Sequence, residues 1–259
     1  MPQLTYPLDM TVGAAGQQYD LGFNNVLTPV ATEEIPIGLG TAKVIGEDYQ
    51  VRLPQMNVGT VVASAALIAA NSTVATVNGV ALAPVVYATS NAATLTAIAA
   101  AIAAVDGIGS ATSNGTNTIT VIADQGEAVL VTLVTTLGAS QATWTTTYSS
   151  QDVFYGVALR IQNKENLYSS TGSAGASPYY LGDAVPTLTR GRVWVTVEDT
   201  VTSDSAVYWR VKASGGNTQV GSFRSDADSG NAILIPSTQA RWIIGATAGN
   251  IAVLDINQP

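Results

Sequence analysis

Only one stretch of this chain carries apolar residues at helical spacing, SNAATLTAIAAAIAAVDG at 90–107. Ser90 or Asn91 can cap it, Leu95, Ile98, Ile102 and Val105 fall on one stripe, and Gly107 can end it. Elsewhere the apolar residues come in runs of strand length, punctuated by Gly, Pro, Asn and Ser. A chain with one helix and many short strands has to build its core between sheets, so the expected class is mainly β, a sandwich or small barrel. Candidate strands after residue 150 are 154–161, 179–181, 192–198, 207–213, 219–223, 231–235, 241–246 and 250–256.

The clearest alternation is RGRVWVTVEDTVTSDSAVYWRVKASGG, residues 190–216. Val193, Val195 and Val197 alternate with Arg192, Trp194 and Thr196; Val207, Trp209 and Val211 alternate with Tyr208, Arg210 and Lys212. This predicts two antiparallel strands with one buried face. The other face holds aromatics and long cations, residue types enriched at protein interfaces. Two readings of that face stay open. It is an interface, or it is a second apolar layer in which the N-terminal arm buries Trp194 within the same chain. Glu198 is placed to pair with Arg210 or Lys212.

Composition then divides the chain. Between Asn57 and Ser150 there is no Lys or Arg, and Asp106, Asp124 and Glu127 are the charged residues. A stretch with its own statistics predicts an inserted domain over 57–150, between an arm and first strands at 1–56 and the rest of a β body at 151–259. Inside it, Asn78-Gly79 predicts a hairpin, and two further strands flank Gly126. With the helix this gives a small α+β unit of order β-β-α-β-β. Residues 1–31 read as an extended arm, either a frayed terminus or a segment that pairs with a sheet edge on a neighbour.

The residues exclude much chemistry. The chain has no His and no Cys, which removes the common nucleophile systems, disulfides and the commonest transition-metal ligand. A net charge of −8, with only 11% charged residues, disfavours nucleic acid. The longest apolar run, 58–70, is short of the ~20 residues that span a bilayer, so no membrane is expected. GLGTAK (38–43) lacks P-loop spacing and a following helix. Asp226 and Asp228 before Gly230 look like the opening of a calcium loop, but position twelve is Ser237 rather than Glu. The acidic doublets Glu33-Glu34, Glu47-Asp48 and Glu198-Asp199 point to opposite sides of a strand and make no glycosidase pair by themselves. The expectation is no enzyme, no cofactor and no metal.

IPIGLGTAKVIGEDYQVRLP, FYGVALRIQN, YYLGDAVPTLTRGRVWVTVEDTV and GNIAVLDIN follow one another in an order that resembles the structural cement (head decoration) proteins of tailed bacteriophages. The resemblance covers roughly 1–56 and 151–259, with 57–150 as the departure. It implies a β-barrel or jelly-roll-like body on the outer surface of an icosahedral capsid, made in the host cytoplasm. There it clamps neighbouring copies of the major capsid protein, as a homo-oligomer, dimer or trimer. The uncharged insertion would project from the shell. The residues picked out as interface candidates are Tyr6, Leu8, Met10, Tyr19, Arg190, Arg192, Trp194, Tyr208 and Arg210. The alternative from a different class is a tail-fibre or adhesin module that binds host-surface glycan.

Overall fold

The computed structural model describes residues 13–19, 24–44, 46–124, 128–136, 142–161, 178–217 and 219–257. These residues form nineteen strands and one α-helix, a mainly β protein. They pack into two compact units. The first draws on Met1–Lys43, Tyr49–Leu53 and Phe154–Pro259, the second on Val44–Asp48 and Pro54–Val153.

The first unit holds an eight-stranded sheet. It comprises β1 (Asn25–Leu27), β2 (Val30–Ala31), β3 (Gly40–Lys43), β4 (Gln50–Arg52), β13 (Phe154–Ala158), β14 (Thr187–Thr196), β18 (Ala240–Ile244) and β19 (Ile251–Asn257). Its order is β18-β19-β14-β13-β3-β4-β2, with β1 also on β14. A second sheet, β16-β15-β17, is made of β15 (Val207–Arg210), β16 (Phe223–Arg224) and β17 (Ala232–Ile235). The alternation at 190–216 is therefore two strands, as expected, but not a hairpin. β14 pairs β19 along 190–196, so its edge is taken, and β15 pairs β16 and β17 in the other sheet.

Aromatic rings from both sheets fill the space between them. Phe154 meets Trp209 edge to face at 5.2 Å between centroids, Phe223 at 6.0 Å, and Phe223 meets Trp242 at 6.5 Å. Such pairs are worth ~0.5–1.5 kcal/mol each beyond the area they bury. The Trp242 indole N–H donates to the Ala206 carbonyl at 3.2 Å, so the polar atom it brings inside is satisfied. A smaller core gathers Ala31, Ile35, Val51, Ala158, Val185 and Tyr179, whose hydroxyl donates to the Leu159 carbonyl at 2.7 Å.

The second unit has two four-stranded sheets and the helix. One sheet, in the order β12-β5-β10-β9, contains β5 (Val58–Ala63), β9 (Ile108–Ser113), β10 (Thr118–Ala123) and β12 (Trp144–Ser149). The other contains β6 (Ser72–Val77), β7 (Val80–Ala81), β8 (Val85–Val86) and β11 (Val131–Thr136), all on β6. Helix α1 (Asn91–Ala103) begins where the sequence places it. The Ser90 hydroxyl accepts from Ala93 N–H at 3.1 Å. Leu95, Ile98 and Ile102 are fully buried against Val61, Val77, Ile119, Val121 and Val131.

Asn78 and Gly79 have φ of 49° and 83° and close the β6–β7 hairpin. The strands on either side of Gly126 do not pair with each other. β10 lies between β5 and β9, and β11 pairs β6, so the chain changes sheet there. Four strands precede the helix in this unit and four follow it. The four beyond the expected order are β5, β8, β9 and β12: β5 lies in the longest apolar run, β8 is two residues long, and β9 and β12 are too rich in Ser and Thr to stand out in the sequence.

Candidate functional site

Three features on the first unit carry chemistry: the long face of β14, a buried ionic cluster, and a turn at 180–183. Gly191 interrupts β14 with φ of +126°, and a Cβ there would strike the Asn24 side chain. This accounts for the glycine of the Gly-Arg-Val-Trp-Val stretch. On either side of it, Arg190, Arg192 and Trp194 point to one face.

That face has two halves. On one, residues 16–19 run along β14. Gly16 N–H donates to the Trp194 carbonyl at 2.8 Å, Trp194 N–H to Gln17 at 2.9 Å, and Tyr19 N–H to Arg192 at 2.9 Å. Gly13 lies against the indole, and the Tyr19 ring meets it edge to face at 5.3 Å. Trp194 is 8% exposed. The second of the two readings therefore holds for Trp194. The chain's own arm covers it, because β14 leaves backbone groups there that residues 16–19 satisfy. The described part of the arm pairs within its own chain; Tyr6, Leu8 and Met10 lie outside the described residues.

The other half is open and basic. In register with β14, β19 places Asp255 opposite Arg192 and Asn257 opposite Arg190, and β18 sets Arg241 opposite Asp255. Arg241 Nε donates to Asp255 Oδ2 at 3.0 Å, and Arg192 Nε stands 3.9 Å from Oδ1. Arg190 is exposed and has no acidic partner among the described residues. Arg190, Arg241, Asp255 and Asn257, with the turn Ser237–Gln239, line a depression of about 540 Å³. Arg190 and Arg241 share the depression with a single carboxylate, Asp255, so it is locally basic on a chain of net −8.

Tyr208 and Arg210 are not part of this surface. Tyr208 is half-buried on β15, and Arg210, expected on the outer face, is fully buried. The loop after β16, with its short 3-10 turn at Asp228–Gly230, folds over Arg210 and supplies the counter-charge. Arg210 Nε donates to both Glu198 oxygens at 2.7 and 2.9 Å, Nη2 to Asp228 Oδ2 at 2.7 Å, and Nη1 to the Lys212 carbonyl at 2.9 Å. Arg224 joins the same cluster, with Nη2 on Asp226 at 2.7 Å and Nη1 3.2 Å from Asp228 and 3.3 Å from Glu198. Asp199 accepts from the Ser225 hydroxyl at 2.6 Å.

Burial alone would lower the Arg210 pKa; hydrogen bonds to Glu198 and Asp228 outweigh it and raise it. The Asp228 N–H, then the Arg224 guanidinium, hold the Asp226 carboxyl below its usual range. The two aspartates that resemble a calcium loop thus face guanidiniums. Among the described residues no three acidic groups are arranged to hold a metal. GLGTAK is strand β3 and the approach to it, with Gly40 packed against Phe223, Trp209 and Phe154, so its glycines serve a turn and a core.

The turn Tyr180–Asp183 is braced from inside and outside. Asp183 N–H donates to the Tyr180 carbonyl, and Tyr180 N–H to Asp183 Oδ2, both at 2.9 Å. Gly182 N–H donates to Ala31 at 2.8 Å, and Ala31 N–H to Asp183 at 2.9 Å. Gly182, at φ +87°, fills the position that demands a left-handed residue. The result presents Leu181, 74% exposed, and Tyr180, 52% exposed. Leu181, Arg241 and Asp255 were not among the residues expected to act. The sequence holds a signal for Leu181, since an apolar residue beside Gly-Asp sits at a turn tip. Arg241 and Asp255 become neighbours only through strand register.

Among the described residues no helix is long and apolar enough to cross a membrane. No curated protein matches the chain. A family model, described as structural cement protein (E217 gp24/Pam3 gp6), matches residues 99–257, more than half of the chain. The match starts inside α1 and runs through β9 to β12 before reaching β13. The family pattern therefore extends into the stretch that the motif comparison set aside as a departure, and it omits the IPIGLG opening. That family is structural in kind, and membership implies a phage virion component that associates with the capsid. The chain belongs to the structural cement protein family of phages.

Proposed function

We propose that this protein is a capsid cement, or decoration, protein that binds the outer surface of the icosahedral head and bridges neighbouring copies of the major capsid protein. The family match over residues 99–257 carries the reading. The physical features agree with it. The first unit is stiffened by an aromatic core and a buried ionic cluster, and it presents an apolar pair on a braced turn, the kind of anchor that concentrates binding energy at an interface. A rigid element loses little entropy on docking.

The protein works as a homo-oligomer, a dimer or trimer, so that one assembly touches several capsid subunits and weak contacts multiply. Binding only the assembled lattice stabilises it by mass action. It acts without catalysis and without a cofactor. The test is to add purified protein to heads that lack it and to image them. Density is expected over junctions between capsid subunits on the outside of the head. Density on the tail, or binding to host glycan with no affinity for heads, would overturn the reading.

A further inference from the structure

We propose that the basic depression on β14, β18 and β19 is the seat of an acidic protein segment, with Asp or Glu side chains docking against Arg190 and Arg241. Both arginines line it. Each guanidinium has five N–H donors in a planar fork that fits a carboxylate. Arg241 spends one carboxylate contact on Asp255 and remains exposed, and Arg190 spends none among the described residues. Asp255 is 21% exposed and holds the Arg241 and Arg192 guanidiniums in place rather than cancelling the patch. The floor adds neutral groups at Ser237, Thr238 and Asn257 that complete the hydrogen bonding of such a segment.

The rest of the molecule selects the ligand. The chain carries net −8, yet at ~0.15 M salt charges beyond ~8 Å are screened, so a short acidic segment feels the local arginines. A nucleic acid would run off this small patch onto acidic surface, and three arginines make few phosphate contacts. This inference deepens the cement reading and rests on it only in placing the segment on the capsid lattice.

The experiment compares the full-length protein with Arg190→Glu/Arg241→Glu, after circular dichroism and melting show that the variant is folded. Both are titrated onto heads lacking the protein at 50 and 300 mM salt. Both are also titrated with a fluorescent glutamate-rich decapeptide and a ten-nucleotide single-stranded DNA. Wild-type binding that weakens with salt, and that falls at least tenfold in the variant, is the expected result. Should the variant bind heads as the wild type does, the inference fails while the cement reading stands. Should the wild type not bind heads, the cement reading fails, and the decapeptide decides: charge-dependent binding lost in the variant supports the inference, and none overturns it. Preference for DNA, or a self-association abolished in the variant without effect on decapeptide or head binding, also overturns it. If the variant does not fold, the wild type's salt dependence and its preference for peptide over DNA decide alone.

Discussion

The two units of this chain solve the same problem with different chemistry. The first buries Arg210 and Arg224 among four carboxylates and sets edge-to-face aromatic rings between its sheets. The second contains no Lys or Arg; its buried polar groups pair with hydroxyls, amides and backbone, and its one buried acid among the described residues, Asp152, is held by amide donors. The Thr73 and Thr135 hydroxyls meet at 3.0 Å, and the Trp144 indole N–H donates to Thr135 at 2.8 Å. Asp152 accepts from Gln55 N–H and Asn57 Nδ2. Where β11 and β12 do not pair, the Tyr148 hydroxyl both accepts from Val131 N–H and donates to its carbonyl, each at 3.0 Å. A core with fixed charges is sensitive to loss of one partner and to pH. A core of aliphatic residues and hydroxyls is sensitive to volume.

That contrast is open to attack by mutation. Arg210→Ala removes the closer of the two buried guanidiniums from Glu198 and Asp228, leaving them Arg224 alone at 3.3 and 3.2 Å, and is expected to cost about 3 kcal/mol. In calorimetry it lowers the transition of the first unit and spares that of the second. Equal shifts in both would mean that the units melt together and the contrast has no thermal expression. Ile98→Ala is the reverse case. It opens a cavity between α1 and the sheets of the second unit, at about 2–5 kcal/mol, and lowers that unit's transition.

Alkaline pH strikes the first unit. Burial, and after it the charge of Asp183, pushes the Tyr179 hydroxyl up to about 12. The native state therefore favours the protonated phenol. Its contribution is complete below pH ~10 and is lost as pH rises through 12, on the order of 2–3 kcal/mol. Denaturant melts from pH 8 to 12 read this loss, and Tyr179→Phe reduces the pH dependence to the share left by the likewise raised Tyr155. The smallest effect expected is Tyr148→Phe, about 1–2 kcal/mol, from the Val131 N–H it strands, since the Val131 carbonyl keeps the Thr146 hydroxyl at 3.1 Å. Its loss belongs to the second unit and does not vary with salt.

How much of this the residues foretold depends on how local each feature is. The helix and its start were legible because cap and stripe are local, and the Asn78-Gly79 hairpin because two adjacent residues dictate the turn; the helix's end was not, since α1 stops at Ala103 with Ala104 as its cap, short of Val105 and Gly107. Strand partners were not. Val193, Val195 and Val207, Trp209 alternate alike, and nothing in them says that β14 and β15 serve different sheets. The pairing of Glu198 with Arg210 was readable from charge, its burial was not, since the covering loop with Asp226 and Asp228 lies downstream. Trp194 was readable as large and apolar on an unusual face, but the residues that cover it are some 180 positions away. The basic depression joins β14, β18 and β19 and exists only once their register is set.

Heat resistance of the particle bears most directly on the cement role. Heads with and without the protein are warmed in steps, and escaped DNA is followed with an intercalating dye. A cement protein shifts the release temperature upward, and adding purified protein back to bare heads restores the shift. Release at the same temperature with and without it would contradict the account.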